Sequence, residues 1–213
     1  MNIKPDQLAQ NGYVLLNQLG HKELVPFIRE YLKKRTKYKA LYYTANIFAF
    51  ALVGYFFAQG YGMPNYSFGS RFTQFSYGLA IAFALLPLHE YIHVLAYKSQ
   101  GATNTSYGAN LKKFYFMALA DKFVANKKEF EIVALAPFII ITTTLIVFLF
   151  FSNTNWALTI SSILLAHTAM CSGDFGLLSY FEFNKQQQPV TYDDVENKIS
   201  YFYGRKADAK TTL

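Results

Sequence analysis

Residues 76–97 read SYGLAIAFALLPLHEYIHVLAY, an apolar run that contains one acid and two histidines. A stretch of about 20 mostly apolar residues is what a helix needs to cross the hydrocarbon core of a bilayer. Ionisable side chains at membrane depth are costly, so they are rare there and usually functional. This segment therefore predicts a membrane-spanning helix with a functional site inside it.

Three further apolar runs pass the same length test. With the first they predict four transmembrane helices, over 41–59, 76–97, 132–151 and 156–180. Apolar residues make up 53% of the 213 residues and charged residues only 15%. This composition excludes a disordered chain, a coiled coil and a typical nucleic-acid-binding domain. We expect a mainly α, polytopic membrane protein that lies in a lipid bilayer and has no nucleic-acid partner.

The basic residues are unevenly distributed along the chain. Of 20 lysines and arginines, 19 fall in 1–40, in the connection 98–131 or in 182–213, which a four-span topology places on one side. The positive-inside rule makes that side cytoplasmic, so we expect both termini in the cytoplasm. The predicted organisation is a cytoplasmic N-terminal region (1–40), a membrane domain (41–181) and a cytoplasmic polar tail (182–213).

Outside the four spans the sequence indicates shorter elements. Residues 1–39 have the apolar periodicity of one or two amphipathic helices at the membrane surface. In the 98–131 connection, the stretches TNTSY (103–107) and FYFMAL (114–119) flank a turn signal at 108–110. This pattern predicts a short β-hairpin in the cytoplasmic loop. The tail from Asn184 is polar, and we expect it to be loosely ordered.

His89-Glu90-Tyr91-Ile92-His93 has the pattern H-E-x-x-H within the second predicted span. The i, i+4 spacing places both imidazoles on one helix face, where they can share a zinc ion. Glu90 is rotated about 100° from His89 and can reach a water on that zinc as general base and then general acid. If the two histidines served packing alone, three ionisable groups would be buried in the membrane without a metal, which is costly.

Catalytic zinc usually has three protein ligands, so another segment must supply the third. His167, Cys171 and Asp174 lie roughly on one face of the last predicted span. At 1.5 Å per residue in a straight helix, Asp174 lies at the depth of His89 and His93, and His167 about 10 Å deeper. We predict Asp174 as the third ligand, with Cys171 as the alternative and His167 as a deeper polar contact acting through water.

These motifs together resemble a known family. The chain carries LHEYIH (88–93), a glycine-containing loop, ALAPFIII (134–141) and SGDFGLL (172–178) in this order. The combination is similar to the bacterial membrane proteins known as putative zincin peptidases, and more distantly to the site-2 protease clan of intramembrane metalloproteases. The resemblance covers about residues 76–181.

The resemblance implies a zinc cofactor held by His89, His93 and Asp174, with Glu90 as the catalytic residue. It implies a site-2-protease-like core of three helices in a bacterial inner or cell membrane. Where better-known members have L-D-G or N-P-D-G, this chain has the sequence SGDF at 172–175.

The resulting hypothesis is a zinc-dependent intramembrane endopeptidase that hydrolyses peptide bonds in or near transmembrane segments, with a membrane protein or membrane-anchored peptide as substrate. The alternative is a catalytically silent, metal-binding scaffold or chaperone, which should be insensitive to Glu90→Gln. A histidine-box desaturase needs more histidines than the four in this chain. A transporter fits the hydropathy, but the sequence has no evident inverted repeat or broken-helix pair.

Overall fold

The computed structural model describes residues 3–20, 22–59, 67–110 and 115–205. Within these ranges the chain is mainly helical with a small amount of β-structure, as predicted. The elements, in chain order, are β1 (Tyr13–Gly20), α1 (Leu24–Lys33), α2 (Lys37–Gln59), α3 (Phe68–Ala84), α4 (Leu86–Ser99), β2 (Thr105–Asn110), β3 (Tyr115–Ala120), β4 (Ala125–Asn126), α5 (Lys127–Phe150), α6 (Thr154–Met170), α7 (Ser172–Phe183), β5 (Val190–Asp194) and β6 (Ile199–Arg205).

Among the described residues, three helical stretches are long and apolar enough to cross a membrane, and they overlap the first three predicted spans. They are α2, the pair α3–α4 joined at Leu85, and α5. The fourth predicted span is not one straight helix, because α6 and α7 meet at Cys171 with a bend of 44°. The bend places Asp174 in the first turn of a new helix.

The long helices expose much of their apolar surface. Ile47 and Phe50 on α2 are 67% and 66% exposed, and Phe150 at the end of α5 is 83% exposed. Contiguous exposed apolar surface of this kind marks contact with lipid or with another protein. Together with their length, these helices indicate a membrane protein.

Helices α3 and α6 pack in close contact. A Cβ atom added at Gly78 would lie 2.4 Å from the Cβ of Ser162, a distance that real side chains do not adopt. Small residues of this kind let membrane helices approach with their backbones nearly in contact. The contact holds α6, and therefore His167, against the helical pair that carries the H-E-x-x-H motif.

The two ends of the chain meet in a four-stranded antiparallel sheet of order β1-β6-β5-β4. The amphipathic helix predicted within residues 1–39 is present as α1, but the same region also contains the unpredicted strand β1. The expectation of a loosely ordered tail from Asn184 is wrong, because the tail contains the strands β5 and β6. Aromatic and β-branched residues favour strands, but β6 pairs with β1 across almost the whole chain, which no local pattern reveals. Residues 206–213 of the predicted tail lie outside the described residues.

Helix α1 packs on α7, the helix that carries Asp174. A Cβ atom at Gly176 would lie 2.5 Å from Cγ2 of Ile28, so only glycine permits this approach. Leu24 and Leu32 of α1 are buried. The apolar face of α1 thus packs against the protein itself and forms one wall of the site described below.

The predicted β-hairpin in the 98–131 connection is confirmed. Strands β2 and β3 pair antiparallel, from Thr105 opposite Ala120 to Asn110 opposite Tyr115. The turn signal at 108–110 was misassigned, because these residues belong to β2. The connection 111–114 lies outside the described residues. Since β3 packs against α4, the hairpin lies beside the H-E-x-x-H helix.

Candidate metal centre

Helix α4 presents His89 and His93 on its buried face. The two side chains are one turn apart, and they are 5% and 7% exposed. Their Nε2 atoms lie 3.2 Å from each other. The predicted spacing therefore brings the two ring nitrogens to one point.

Helix α7 brings Asp174 to the same point. Its Oδ2 lies 3.4 Å from Nε2 of His89, and its Oδ1 lies 3.2 Å from Nε2 of His93. The residue sits in the first turn of α7, where a carboxylate is favoured by the helix dipole. The three residues expected to bind a metal thus form one cluster.

The geometry of this cluster fits a zinc ion. Ligands about 2.0–2.1 Å from a tetrahedral zinc are about 3.3 Å from each other, and the three separations here are 3.2, 3.2 and 3.4 Å. Nδ1 of His93 lies 2.9 Å from the carbonyl oxygen of Val133. Since a carbonyl only accepts, Nδ1 carries the hydrogen and Nε2 presents its lone pair to Asp174 and His89. Two imidazoles and a carboxylate form a donor set found in catalytic zinc sites.

Glu90 lies beside the cluster without being part of it. Its Oε2 accepts a hydrogen bond of 2.8 Å from the backbone N–H of Ala118 on β3. Glu90 lines the same cavity as the three candidate ligands. The hairpin therefore fixes the carboxylate next to the position that a metal would occupy.

His167 lies closer to the cluster than predicted. Its Nε2 is 3.3 Å from Nδ1 of His89, and both side chains are buried. The expectation of a contact through water is therefore wrong. It assumed a straight last span, whereas the chain bends at Cys171 and α6 packs directly on the α3–α4 pair. We assign the hydrogen to Nδ1 of His89, because donation to His167 turns the lone pair of Nε2 towards Asp174.

A second group of potential ligands shares His89. It consists of His89, His167 and Cys171, all buried. Sγ of Cys171 lies 4.0 Å from Nε2 of His167, and the thiol donates to the backbone carbonyl of His167 at 3.3 Å. A catalytic zinc needs an open position for water and substrate. The cavity is lined by His89, His93 and Asp174 but not by Cys171 or His167, so the Cys171 alternative lacks this access.

The cavity has a volume of about 250 Å³. Residues of α1, β3 and α5 form largely apolar walls, including Leu24, Ile28, Met117, Phe130 and Val133. Its remaining lining includes Tyr97 of α4 and a polar group on the sheet: Thr191, Asp193 and Ser200. None of these four residues belongs to the motifs quoted from the sequence. Tyr97 follows His93 by four residues, a spacing that could have pointed to it. Asp193 could not be found without the sheet pairing.

We expect His167→Ala to weaken zinc binding by about 10- to 100-fold, because partners of metal-bound histidines contribute this much to affinity. His167→Gln should restore part of the loss, since its amide oxygen can accept from Nδ1 of His89. Cys171→Ala serves as the control on the same helical segment. Competition against a fluorescent zinc chelator measures the affinities. An unchanged affinity in His167→Ala would show that His89 needs no such support.

Comparison with known proteins agrees with the geometry. The model of a family described as "Putative zincin peptidase" matches residues 82–188, half of the chain, including all three candidate ligands. No curated protein and no solved structure matches the chain. The family description implies a metallopeptidase that uses zinc. By this match, the chain belongs to the family described as "Putative zincin peptidase".

Proposed function

We propose that the protein is a zinc-dependent intramembrane endopeptidase that cleaves peptide bonds in or near transmembrane segments of other proteins. The observation that carries the proposal is the convergence of His89, His93 and Asp174 on one point in a cavity that also holds Glu90. Membership of the zincin peptidase family supports the reaction class. The exposed apolar helices that carry the site support a location in the membrane.

His89, His93 and Asp174 would hold the metal. A zinc ion there would supply Lewis-acid chemistry, lowering the pKa of water to about 7 and polarising the scissile carbonyl. His93 is oriented by Val133 and His89 by His167, so the two rings need no rearrangement to act as ligands. Pre-oriented ligands of this kind are what catalytic sites require.

In the proposed reaction, Glu90 transfers a proton from the attacking water to the leaving amine. Its Oε2 is engaged by the N–H of Ala118, which leaves Oε1 to accept a proton from the attacking water. The resulting hydroxide adds to the scissile carbonyl carbon. When the C–N bond breaks, Oε1 returns the proton to the leaving amine nitrogen. The carboxylate is thus general base in the first half of the reaction and general acid in the second.

The arrangement of the sheet supports the proposed sidedness. Strands from the N-terminal region, from the 98–131 connection and from the tail belong to one sheet. They must therefore lie on the same side of the helices, and the same three regions hold 19 of the 20 basic residues. By the positive-inside rule this side is cytoplasmic, in a bacterial inner or cell membrane. In this proposal α3–α4, α5 and α6–α7 form a site-2-protease-like core.

Strand β3 is the proposed docking edge for the substrate. A peptide bond within a helix is shielded, so the substrate must be extended before attack, and an exposed strand edge can hold it. The N–H of Ala118 points to Glu90 rather than to β2, so this side of β3 faces the H-E-x-x-H helix. Met117, Ala118 and Leu119 all line the cavity.

Ala118→Pro is expected to reduce cleavage by at least about 10-fold, because proline has no N–H to hold Glu90 and disrupts the strand edge. The matched control is Ala118→Gly, which keeps the N–H and should retain most of the activity. Cleavage rates and zinc content are measured for both variants. Wild-type cleavage by Ala118→Pro with zinc in place would rule out the docking edge.

The proposed function is tested by metal removal. The purified protein is reconstituted in liposomes with unfolded casein and with a single-span membrane-anchored reporter as probes. We expect cleavage to stop on treatment with a zinc chelator and to return on addition of stoichiometric zinc. Cleavage that survives complete zinc removal would contradict the proposal. A zinc-loaded protein that cleaves neither probe would favour the silent scaffold.

A further inference from the structure

The cavity beside the metal centre has a polar end that the proposed reaction does not use. Thr191 and Asp193 of β5 lie on one face of the sheet, and Phe202 and Ser200 are their partners on β6. All four line the cavity. Although the chain has a net charge of +7, no lysine or arginine among the described residues lines this cavity, whereas Glu90, Asp174 and Asp193 do.

Asp193 is a carboxylate without a cation. Its Oδ1 accepts a hydrogen bond from the Ser200 hydroxyl, and Asp121, the residue after β3, lies next to it through a backbone bridge. Within the described ranges no basic side chain forms an ion pair with Asp193. Burial raises the pKa of this carboxyl to about 6, as expected of a carboxylate with no cation beside it. A buried charge is costly unless it is paired.

Tyr97 provides an independent sign of a binding site at this end of the cavity. Its side chain is 7% exposed and lines the cavity. Its ring packs edge-on against Phe123, but its hydroxyl makes no hydrogen bond to any described residue. A tyrosine whose side chain is mostly buried usually has a hydrogen-bond partner for its hydroxyl. Tyr97 lines the same cavity as Asp193, Asp174 and Glu90.

We propose that Asp193 and Tyr97 form a subsite for a lysine or arginine side chain of the substrate. The apolar walls between this end and the metal centre fit the aliphatic stem of such a side chain, and the acidic end fits its charged head. The inference rests on the proposed peptidase function, because the subsite selects among substrates of that reaction.

The distance between the two ends of the cavity is compatible with this role. Ala118 contacts Glu90, and Asp121, three residues further along the chain, bridges to Asp193. Three residues of extended chain span about 10 Å. A lysine or arginine one or two positions from the scissile bond can cover this distance. Membrane proteins carry such residues on the cytoplasmic flank of their spans, the side to which the proposed topology assigns the sheet.

The test uses two zinc-binding probes with the same four-carbon side chain, lysine hydroxamate and norleucine hydroxamate, which differ by the terminal ammonium group. Both have the same α-amine, so only the side-chain charge is compared. Binding to the full-length, zinc-loaded protein is measured by calorimetry. We expect the lysine probe to bind at least about 10-fold more tightly, as is typical of a close charge pair in a cavity. The preference should disappear in Asp193→Asn, which keeps a side-chain oxygen for Ser200.

Asp194→Asn is the matched control, since this neighbouring acid bonds Asn197 instead and the variant should keep the full preference. Tyr97→Phe should reduce the preference by a smaller factor. Equal binding of both probes to the wild type, or a preference that survives in Asp193→Asn, would overturn the subsite. Failure of both probes to bind zinc-loaded protein would overturn the subsite and the open metal centre together. A preference for the lysine probe in a protein that cleaves no peptide would contradict only the proposed peptidase function.

Discussion

Glu90→Gln is expected to abolish peptide hydrolysis while leaving the zinc content unchanged. The amide keeps the shape of the carboxylate and can still accept from the N–H of Ala118, but it cannot take a proton from water. General acid–base catalysis contributes about 10²- to 10⁴-fold to rate, and here one group serves in both halves of the reaction. Turnover should therefore fall by at least about 10³-fold.

The measurement compares cleavage rates and zinc content for the wild type and Glu90→Gln in the same liposomes. Tyr91→Phe is the matched control, because Tyr91 is the next residue on α4 and is 55% exposed, away from the cavity. It should retain wild-type turnover. Undiminished cleavage by Glu90→Gln would show that another group activates water. If neither the wild type nor Glu90→Gln cleaves the probes, a scaffold is favoured.

Asp174→Ala is expected to weaken zinc binding by at least about 10²-fold. Catalytic zinc rarely binds with only two protein ligands, and the variant would leave His89 and His93 alone at the site. Asp194→Ala removes an acid outside the cavity and serves as the control. Competition with a chelator of known affinity measures both variants. An unaltered affinity in Asp174→Ala would move the third ligand to the group formed by His89, His167 and Cys171.

The sequence was most informative where function depends on local spacing. The i, i+4 separation of His89 and His93 is sufficient to place both rings on one helix face. The length of the apolar runs was sufficient to identify α2, α3–α4 and α5. Asp174 could also be found, because ligand number and helical rise constrain which residue of the last span can reach the histidines.

Other parts of the site depend on tertiary contacts that sequence periodicity does not predict. The bend at Cys171 and the close packing of Gly78 on Ser162 bring His167 to His89, whereas a straight helix would keep it away. Asp193 lines the cavity because β5 pairs with β6, which in turn pairs with β1 from the opposite end of the chain. The composition of the tail is polar on average, which hides the alternation of buried residues along β6.

The hairpin illustrates an intermediate case. Its two strands can be predicted from the sequence, but its contact with Glu90 cannot. The hydrogen bond from the Ala118 N–H to Glu90 depends on how β3 packs against α4. This contact links the loop to the proton-transfer group and makes the hairpin part of the proposed active site.

The central claim is that one zinc ion is held by His89, His93 and Asp174. The most direct test is the zinc content of the detergent-purified protein by elemental mass spectrometry, with Asp174→Ala and the paired variant His89→Ala/His93→Ala alongside. We predict about one zinc per chain in the wild type, as for a mononuclear site, and almost none in either variant. A wild-type protein that binds no zinc after reconstitution, or full zinc retention in the paired histidine variant, would contradict the claim.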